Sequence, residues 1–498
     1  MAVKTPKRNG GLEIVCRNAL CESRKHGIVD KNKQVSWAGG KDTESEREAY
    51  MEKRYNFLTA IAMVVGTVIG SGVFFKAEVV LNRTGGNMMT GILAWLIVGL
   101  VMIICTYTFG IVAGNYGGAN GMVGYTREAC GKTYAYYVGW FMTTIYYPSL
   151  VAVLCWLPAR YLGVLIGGEE WGNACSASVM VLSVFFLVST YTMNALAPKL
   201  AGKFQITTAT AKMIPLVLMA VVGTITGLGN GQIEYNFVNV VDPSISPTAG
   251  LFAAVVALSF AYEGWICATS IGSELKDAER NIPRALVIGA VIVVVVYVAY
   301  YIGLSGAQDS AIMMQNGEAG AKLAFQKIFG QLGGVLIFVF VVISCWGTCN
   351  GLTMSVSRGM YDLAMDSESE YMAKFRSVDP TTGMPANSTV VGLLVSGLWL
   401  VYFYGANLAP SPWFGPFSFD SSELPIITLY ILYIPIFIKL MTIRQLGGFK
   451  RFVMPTLAIA CSIFMCFATI YTYGIKVFFY LIVFAAVMAL GAFIKHLK

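Results

Sequence analysis

Two ionisable side chains stand inside stretches that are otherwise apolar enough for a membrane interior: Glu263 in "ALSFAYEGWICATS" and Lys212 in "ITTATAKMIPLVLMAVV". A charge at the centre of a bilayer costs about 2.5–3.5 kcal/mol on insertion scales, so such residues invite a functional reading. Glu263 reads either as a neutral acid hydrogen-bonded to a neighbouring helix, or as the counter-charge for a cationic substrate or a proton carrier. Lys212 lies about two turns into its apolar segment, roughly 13 Å from the inner end at 1.5 Å rise per residue. Either its long stem snorkels to the surface, or its ammonium is fixed on backbone carbonyls, where it would replace a metal cation or release a proton. A third feature is conformational. "VVGTVIGSGVFFK", residues 64–76, holds Gly66, Gly70 and Gly72, with Ser71 between the last two. Glycine costs about 1 kcal/mol relative to alanine inside a helix. Close packing against another helix would use Gly66 and Gly70. An unwound turn over Gly70, Ser71 and Gly72 would instead free backbone N–H groups at a half-helix N-terminus, which attracts carboxylates.

The elements that must position these residues follow from composition. Of 498 residues, 56% are hydrophobic and 12% charged, against about 25% charged in soluble domains. This pattern predicts an all-α integral membrane protein. A spanning helix needs about 20 apolar residues, and twelve segments qualify: 56–81, 89–113, 134–164, 175–195, 203–228, 249–274, 285–306, 332–361, 385–404, 413–440, 451–473 and 475–495. Even-numbered connections carry Arg127, Lys199, Lys276, Arg280, Arg376 and Lys450, among others, while odd ones carry Arg83, Lys322, Lys327 and Lys476. By the positive-inside rule both termini face the cytoplasm. Asp420 and Glu423, in the outer part of the tenth segment, are expected to face a water-filled vestibule. In the eighth segment, Asn350, Gly351 and Arg358 give a polar, small-residue face for packing.

The glycine-interrupted first segment and the sixth, interrupted at Glu263 and Gly264, are five segments apart and so run in opposite directions. Interrupted segments at matching places in two halves point to an inverted-repeat transporter. Residues 1–54 are expected to form a cytoplasmic tail, 55–440 a ten-helix transport core and 441–498 two appended helices with a short tail. The tail holds 12 Lys or Arg against 8 Asp or Glu and no apolar core of a signal peptide. Its end, "DTESEREAYMEKRYN", reads as a short surface helix; Cys16, Cys21 and His26 are too few for a closed zinc site.

Some classes are excluded. The two histidines, His26 and His496, lie outside the apolar segments, which removes a His-based metal or catalytic centre from the membrane. No phosphate-binding loop or His-paired nucleophile is present, so no enzyme, cofactor or metal is expected. The net charge of +8 sits between apolar segments and implies no nucleic-acid partner. The eleven cysteines show no disulfide framework.

Four stretches together resemble the amino acid–polyamine–organocation superfamily, within it the L-type amino acid transporters and their bacterial relatives: "VVGTVIGSGVF", "KFQITTATAKMIP", "SFAYEGWICATSIGSELKDAERNIPRAL" and "SCWGTCNGLTMSVSRGMYDLA". The resemblance covers about residues 52–496 and implies a leucine-transporter-type fold of five plus five helices, with helices 1 and 6 broken. By similarity, Ser71 and Gly72, with Ile69 and Gly70 beside them, would hold a substrate carboxylate on N–H donors. Carbonyls near Phe260, Ala261, Glu263 and Gly264 would hold its ammonium, and Phe260 would gate the site. Lys212 matches the lysine that stands where sodium sits in sodium-coupled relatives. The implied activity is sodium-independent amino acid exchange by alternating access in the plasma membrane, with proton-coupled amino acid or polyamine symport, or a non-transporting sensor, as other readings. Membrane lipid and the amino acid are the expected partners. Animal members bond a heavy subunit through a cysteine between helices 3 and 4; Cys175 lies near that place, but the short loop implies no such subunit here. Many L-type members have a small residue where Glu263 stands, and animal members a polar residue where Ile266 stands. Both departures weigh against a preference for large neutral side chains.

Overall fold

A computed structural model describes residues 56–496 except Ser71, residues 117–120, Glu318, Asp366 and Glu368. The expected tail, its surface helix and Cys16, Cys21 and His26 lie outside the described residues. The compact unit Glu52–Lys498 is helical and has no strand among the described residues.

The first segment is two helices, α1 (Phe57–Val68) and α2 (Gly72–Arg83), whose axes bend by 46°. Asn56 starts α1 by accepting the Thr59 N–H at 2.9 Å, which satisfies one orphan donor of the first turn. Asn87 does the same for α3 (Met88–Asn115). There follow α4 (Gly121–Cys130), α5 (Lys132–Gly168), α6 (Ala177–Leu196) and α7 (Pro198–Gly229). Pro247 in the first turn and Ser246 as cap open α8 (Pro247–Ser259). A 3₁₀ stretch, Trp265–Glu274, leads to α9 (Ala278–Ala307). Then come α10 (Ala319–Met365), α11 (Ala386–Leu408), α12 (Leu424–Leu440), α13 (Phe449–Tyr473) and α14 (Ile475–His496). Gly474, at φ 52°, makes the tight turn between α13 and α14, a backbone conformation that favours glycine.

Among the described residues, nine helices are long and apolar enough to cross a membrane, ten if the bent pair α1 and α2 counts once. This makes the chain a multi-pass membrane protein. The segments expected at 249–274 and 413–440 give the shorter helices α8 and α12. In the first case the helix stops at its break. In the second, Pro416 and the Asp420 turn hold residues 413–423 out of the helix, so α12 begins only at Leu424. Other helices are longer than expected: α7 begins at Pro198 and α10 at Ala319, the latter kinked at Gly330 with φ 72°.

Large apolar side chains cover the outer faces, such as Leu196 and Leu398 at 72% and 71% exposure. Such a surface suits lipid rather than water. Inside, α3 and α9 pack through Trp95, whose ring lies 5.3 Å from that of Tyr297; Tyr262 lies 5.1 Å from Tyr297. These rings form the wall behind the sixth-segment break.

Candidate substrate site

The first break begins where α1 ends at Val68. Ile69 turns to extended backbone, ψ 100°, and α2 restarts at Gly72. Each glycine has its own neighbour. A methyl group on Gly66 would sit 2.9 Å from Ala209 Cβ of α7, one on Gly70 2.7 Å from Thr348 Oγ1 of α10, and one on Gly72 2.6 Å from Ala261 Cα. Close packing and helix breaking, separate readings of the sequence, therefore coexist: Gly66 and Gly70 admit neighbouring helices, and Gly72 lets the two breaks touch. Ser71 itself lies outside the described residues.

The second break follows Ser259. Phe260 to Tyr262 form a turn, Glu263 and Gly264 are irregular, and Gly264 has φ 101°, where only glycine is at ease. A methyl group there would lie 2.7 Å from the Thr67 carbonyl oxygen. The breaks are thus interlocked, Gly72 on Ala261 and Gly264 on Thr67. From α9, the Tyr297 hydroxyl lies 3.0 Å from both the Val68 and Ala261 carbonyl oxygens. Its single proton serves one at a time.

A helix that stops inside a protein leaves carbonyls without partners and a partial negative charge at its C-terminal end. Lys212 meets that need: its Nζ donates to the Gly66 carbonyl, and the residue is 1% exposed. It does not snorkel. Because α7 starts at Pro198, Lys212 stands fourteen residues into the helix, about 21 Å along it, deeper than the expected two turns.

Glu263 is 7% exposed. Its Oε1 accepts from the Tyr146 hydroxyl at 2.5 Å and the Gly264 N–H at 3.0 Å. Tyr146 closes a π-turn in α5, Met142–Tyr146, whose Thr144 carbonyl accepts from the Trp399 indole N–H at 2.8 Å. π-turns often mark functional places in helices. Among the described residues no lysine or arginine forms a salt bridge with Glu263.

Gly70, Gly72, Phe260, Glu263 and Gly264 line one small cavity, with Thr67, Val68, Leu150, Leu154, Thr348 and Leu352. Its volume is ≈ 30 Å³, room for water but not for an amino acid. Ile69 and Ala261, both 0% exposed, and Lys212 are not among its lining residues.

Residues 55–493 match the family described as amino acid permease. The chain belongs to that family. It is 28% identical to the serine/threonine exchanger SteT of Bacillus subtilis over 431 residues, covering 85% of this chain and 92% of that one. It is 24% identical to the b(0,+)-type amino acid transporter 1 of Mus musculus over 336 residues, 68% of each chain. Against the human cystine/glutamate transporter it is 22% identical over 362 residues, 71% of this chain and 70% of that one.

In this permease a charged cluster stands beside Phe260 that sequence reasoning placed differently. Lys76 of α2 and Glu423 at the start of α12 form a salt bridge of 2.6 Å with each side chain 4% exposed. The Lys76 Nζ is 5.3 Å from the centre of the Phe260 ring. Glu423 Oε2 also accepts from the Tyr473 hydroxyl of α13 at 2.5 Å. Glu423 therefore does not face a vestibule. Asp420 is a turn residue: its Oδ1 accepts the Ser422 and Glu423 N–H groups at 2.7 and 2.8 Å. Asn350 bears out the packing reading of the eighth segment. It donates to Ala201 O and Gln205 Oε1, each at 3.1 Å, and accepts from Asn194 at 3.0 Å.

Tyr146, Tyr297, Thr348 and the Lys76–Glu423 pair were not among the expected site residues. For the tyrosines no local signal exists among 26 of them. Lys76 carried one, a basic residue closing an apolar run.

Proposed function

We propose that this amino acid permease is a sodium-independent amino acid exchanger of the plasma membrane that works by alternating access. One observation carries the reading: two interlocked helix breaks line a single cavity that also receives a carboxyl group with no salt-bridged cation among the described residues. An amino acid brings a carboxylate and an ammonium, and the breaks offer the complement of each. The α2 N-terminus, from Ile69 through Ser71 to Gly72, would take the carboxylate. The carbonyls of Phe260, Ala261 and Glu263 would take the ammonium, and Phe260 would close over the substrate. Lys212, on the Gly66 carbonyl, would occupy the place of a coupling sodium. Twelve segments, the first ten as two inverted repeats of five, both termini cytoplasmic, complete the reading. The core would run over 55–440, after a tail of 54 residues and before two appended helices.

The relatives' names cover serine and threonine, cystine and glutamate, so size alone does not choose the substrate. Glu263 does favour small polar or cationic side chains over large neutral ones. The reading includes no heavy subunit; the Cys175 thiol donates to the Leu408 carbonyl.

A second reading rests on the Tyr146–Glu263 hydrogen bond: a buried carboxyl with a hydroxyl neighbour is also a proton carrier, which would make the permease a symporter. Proteoliposomes decide. Exchange predicts uptake that needs internal amino acid and ignores sodium and pH gradients; accumulation into empty vesicles driven by a proton gradient overturns it. Competition by amines or amino acid methyl esters as strongly as by amino acids would favour a polyamine carrier, because these lack the carboxylate. Binding without counterflow of any amino acid would favour a sensor.

A further inference from the structure

A second cavity lies away from the candidate site, between α3, α9 and the start of α13, and measures ≈ 520 Å³. α3 presents Gly110 and Gly114 to it; the first admits Pro283 of α9, with a methyl group on it only 3.0 Å from the proline Cα. Its rim carries Arg280, Arg284 and Lys450, with Glu279 as the one carboxylate. Among the described residues none of the three cations enters a salt bridge. The rim is thus doubly positive and its cations are available to an anion.

The position along the helix narrows the anion. α9 has 30 residues, about 45 Å, against a hydrocarbon core of about 30 Å. Its first turns, with Arg280 and Arg284, therefore reach the headgroup zone. From the cavity, Ile288, Val291 and Val295 follow at spacings of three and four on one face of α9, exposed by 42%, 43% and 62%. A soluble phosphate would use the cations and leave that apolar track idle. A phospholipid uses both, since basic pockets between membrane helices suit anionic headgroups.

We propose that this cavity binds the phosphate headgroup of an anionic phospholipid, with an acyl chain laid along α9. Full-length protein would be delipidated in mild detergent, given phosphatidylglycerol or phosphatidylcholine, and the retained lipid counted by native mass spectrometry. Wild type should retain phosphatidylglycerol at least about tenfold better than phosphatidylcholine, and Arg280→Gln/Arg284→Gln/Lys450→Gln should lose most of that preference. Arg280→Lys/Arg284→Lys should keep it. If the triple variant does not fold, Lys450→Gln alone, in an exposed position, should still lower retention severalfold. Equal retention of both lipids, or full retention in the neutralised variants, overturns the site. Displacement of the lipid by glycerol phosphate at equal concentration would overturn the lipid in favour of a soluble phosphate ligand.

Discussion

Glu263 accepts from Tyr146 and Gly264 and lines the cavity. A substrate cation there would gain a charge-assisted hydrogen bond, about 1.5–3 kcal/mol, or about 10–100-fold in affinity. Glu263→Gly should therefore weaken transport of cationic and small polar amino acids by about that factor and large neutral ones less. Competition assays read the difference, and equal loss across all classes would assign Glu263 a structural role. Lys212→Ala should slow transport by at least about tenfold while leaving the melting temperature within a few degrees. The lost hydrogen bond to Gly66 is offset by relief of a buried ammonium's desolvation. Normal uptake kinetics would free Lys212 of any part in the cycle. Both residues were legible in the sequence because a charge inside an apolar segment is costly and therefore rare. Tyr146 and Tyr297 were not. Their importance lies in where hydroxyls arrive from segments 117 and 36 residues away from Glu263 and Ala261, and periodicity carries no trace of such tertiary meetings.

At the scale of elements, the breaks hold together through absent side chains. Gly66→Ala pushes a methyl group to 2.9 Å from Ala209 Cβ, so α1 and α7 must separate. Overpacking of this kind costs about 1–3 kcal/mol. Ala209→Gly should restore most of the lost stability and uptake, because the clash is between two methyl groups. Gly264→Ala should have no comparable rescue, since it meets both a backbone carbonyl, Thr67 O, and a φ of 101°. Melting temperatures and uptake of the two single variants and the double test this; failure of Ala209→Gly to rescue would mean Gly66 serves backbone freedom rather than packing. Most segments were readable from apolar length, and both breaks from glycine beside polar residues. The kink at Gly330 and the short α12 were not. The eighth segment begins at 332, beyond that kink, because Lys322, Gln326, Lys327 and Gln331 dilute the apolar run before it; at α12 an apolar window runs on through the turn at 413–423.

For the whole molecule, the Lys76–Glu423 pair ties α2 to α12 beside Phe260, and Tyr473 adds α13 to the same carboxylate. If these elements close one side of the cavity in the proposed cycle, the pair must break each time that side opens. Removing one partner of a buried pair costs about 3–5 kcal/mol, whereas removing both is often close to neutral. Lys76→Gln and Glu423→Gln should each lower the melting temperature by several degrees and slow exchange. The double variant should regain most of the stability but exchange abnormally, because the closed side now lacks its electrostatic clasp. A shift of even about 2.7 kcal/mol in a two-state balance changes populations about a hundredfold, enough to move the rate-limiting step. A double-mutant cycle on melting and on exchange rate measures the coupling. Additive losses in both readouts would mean that the two side chains act apart, and that closure on this side rests on Phe260 and packing alone.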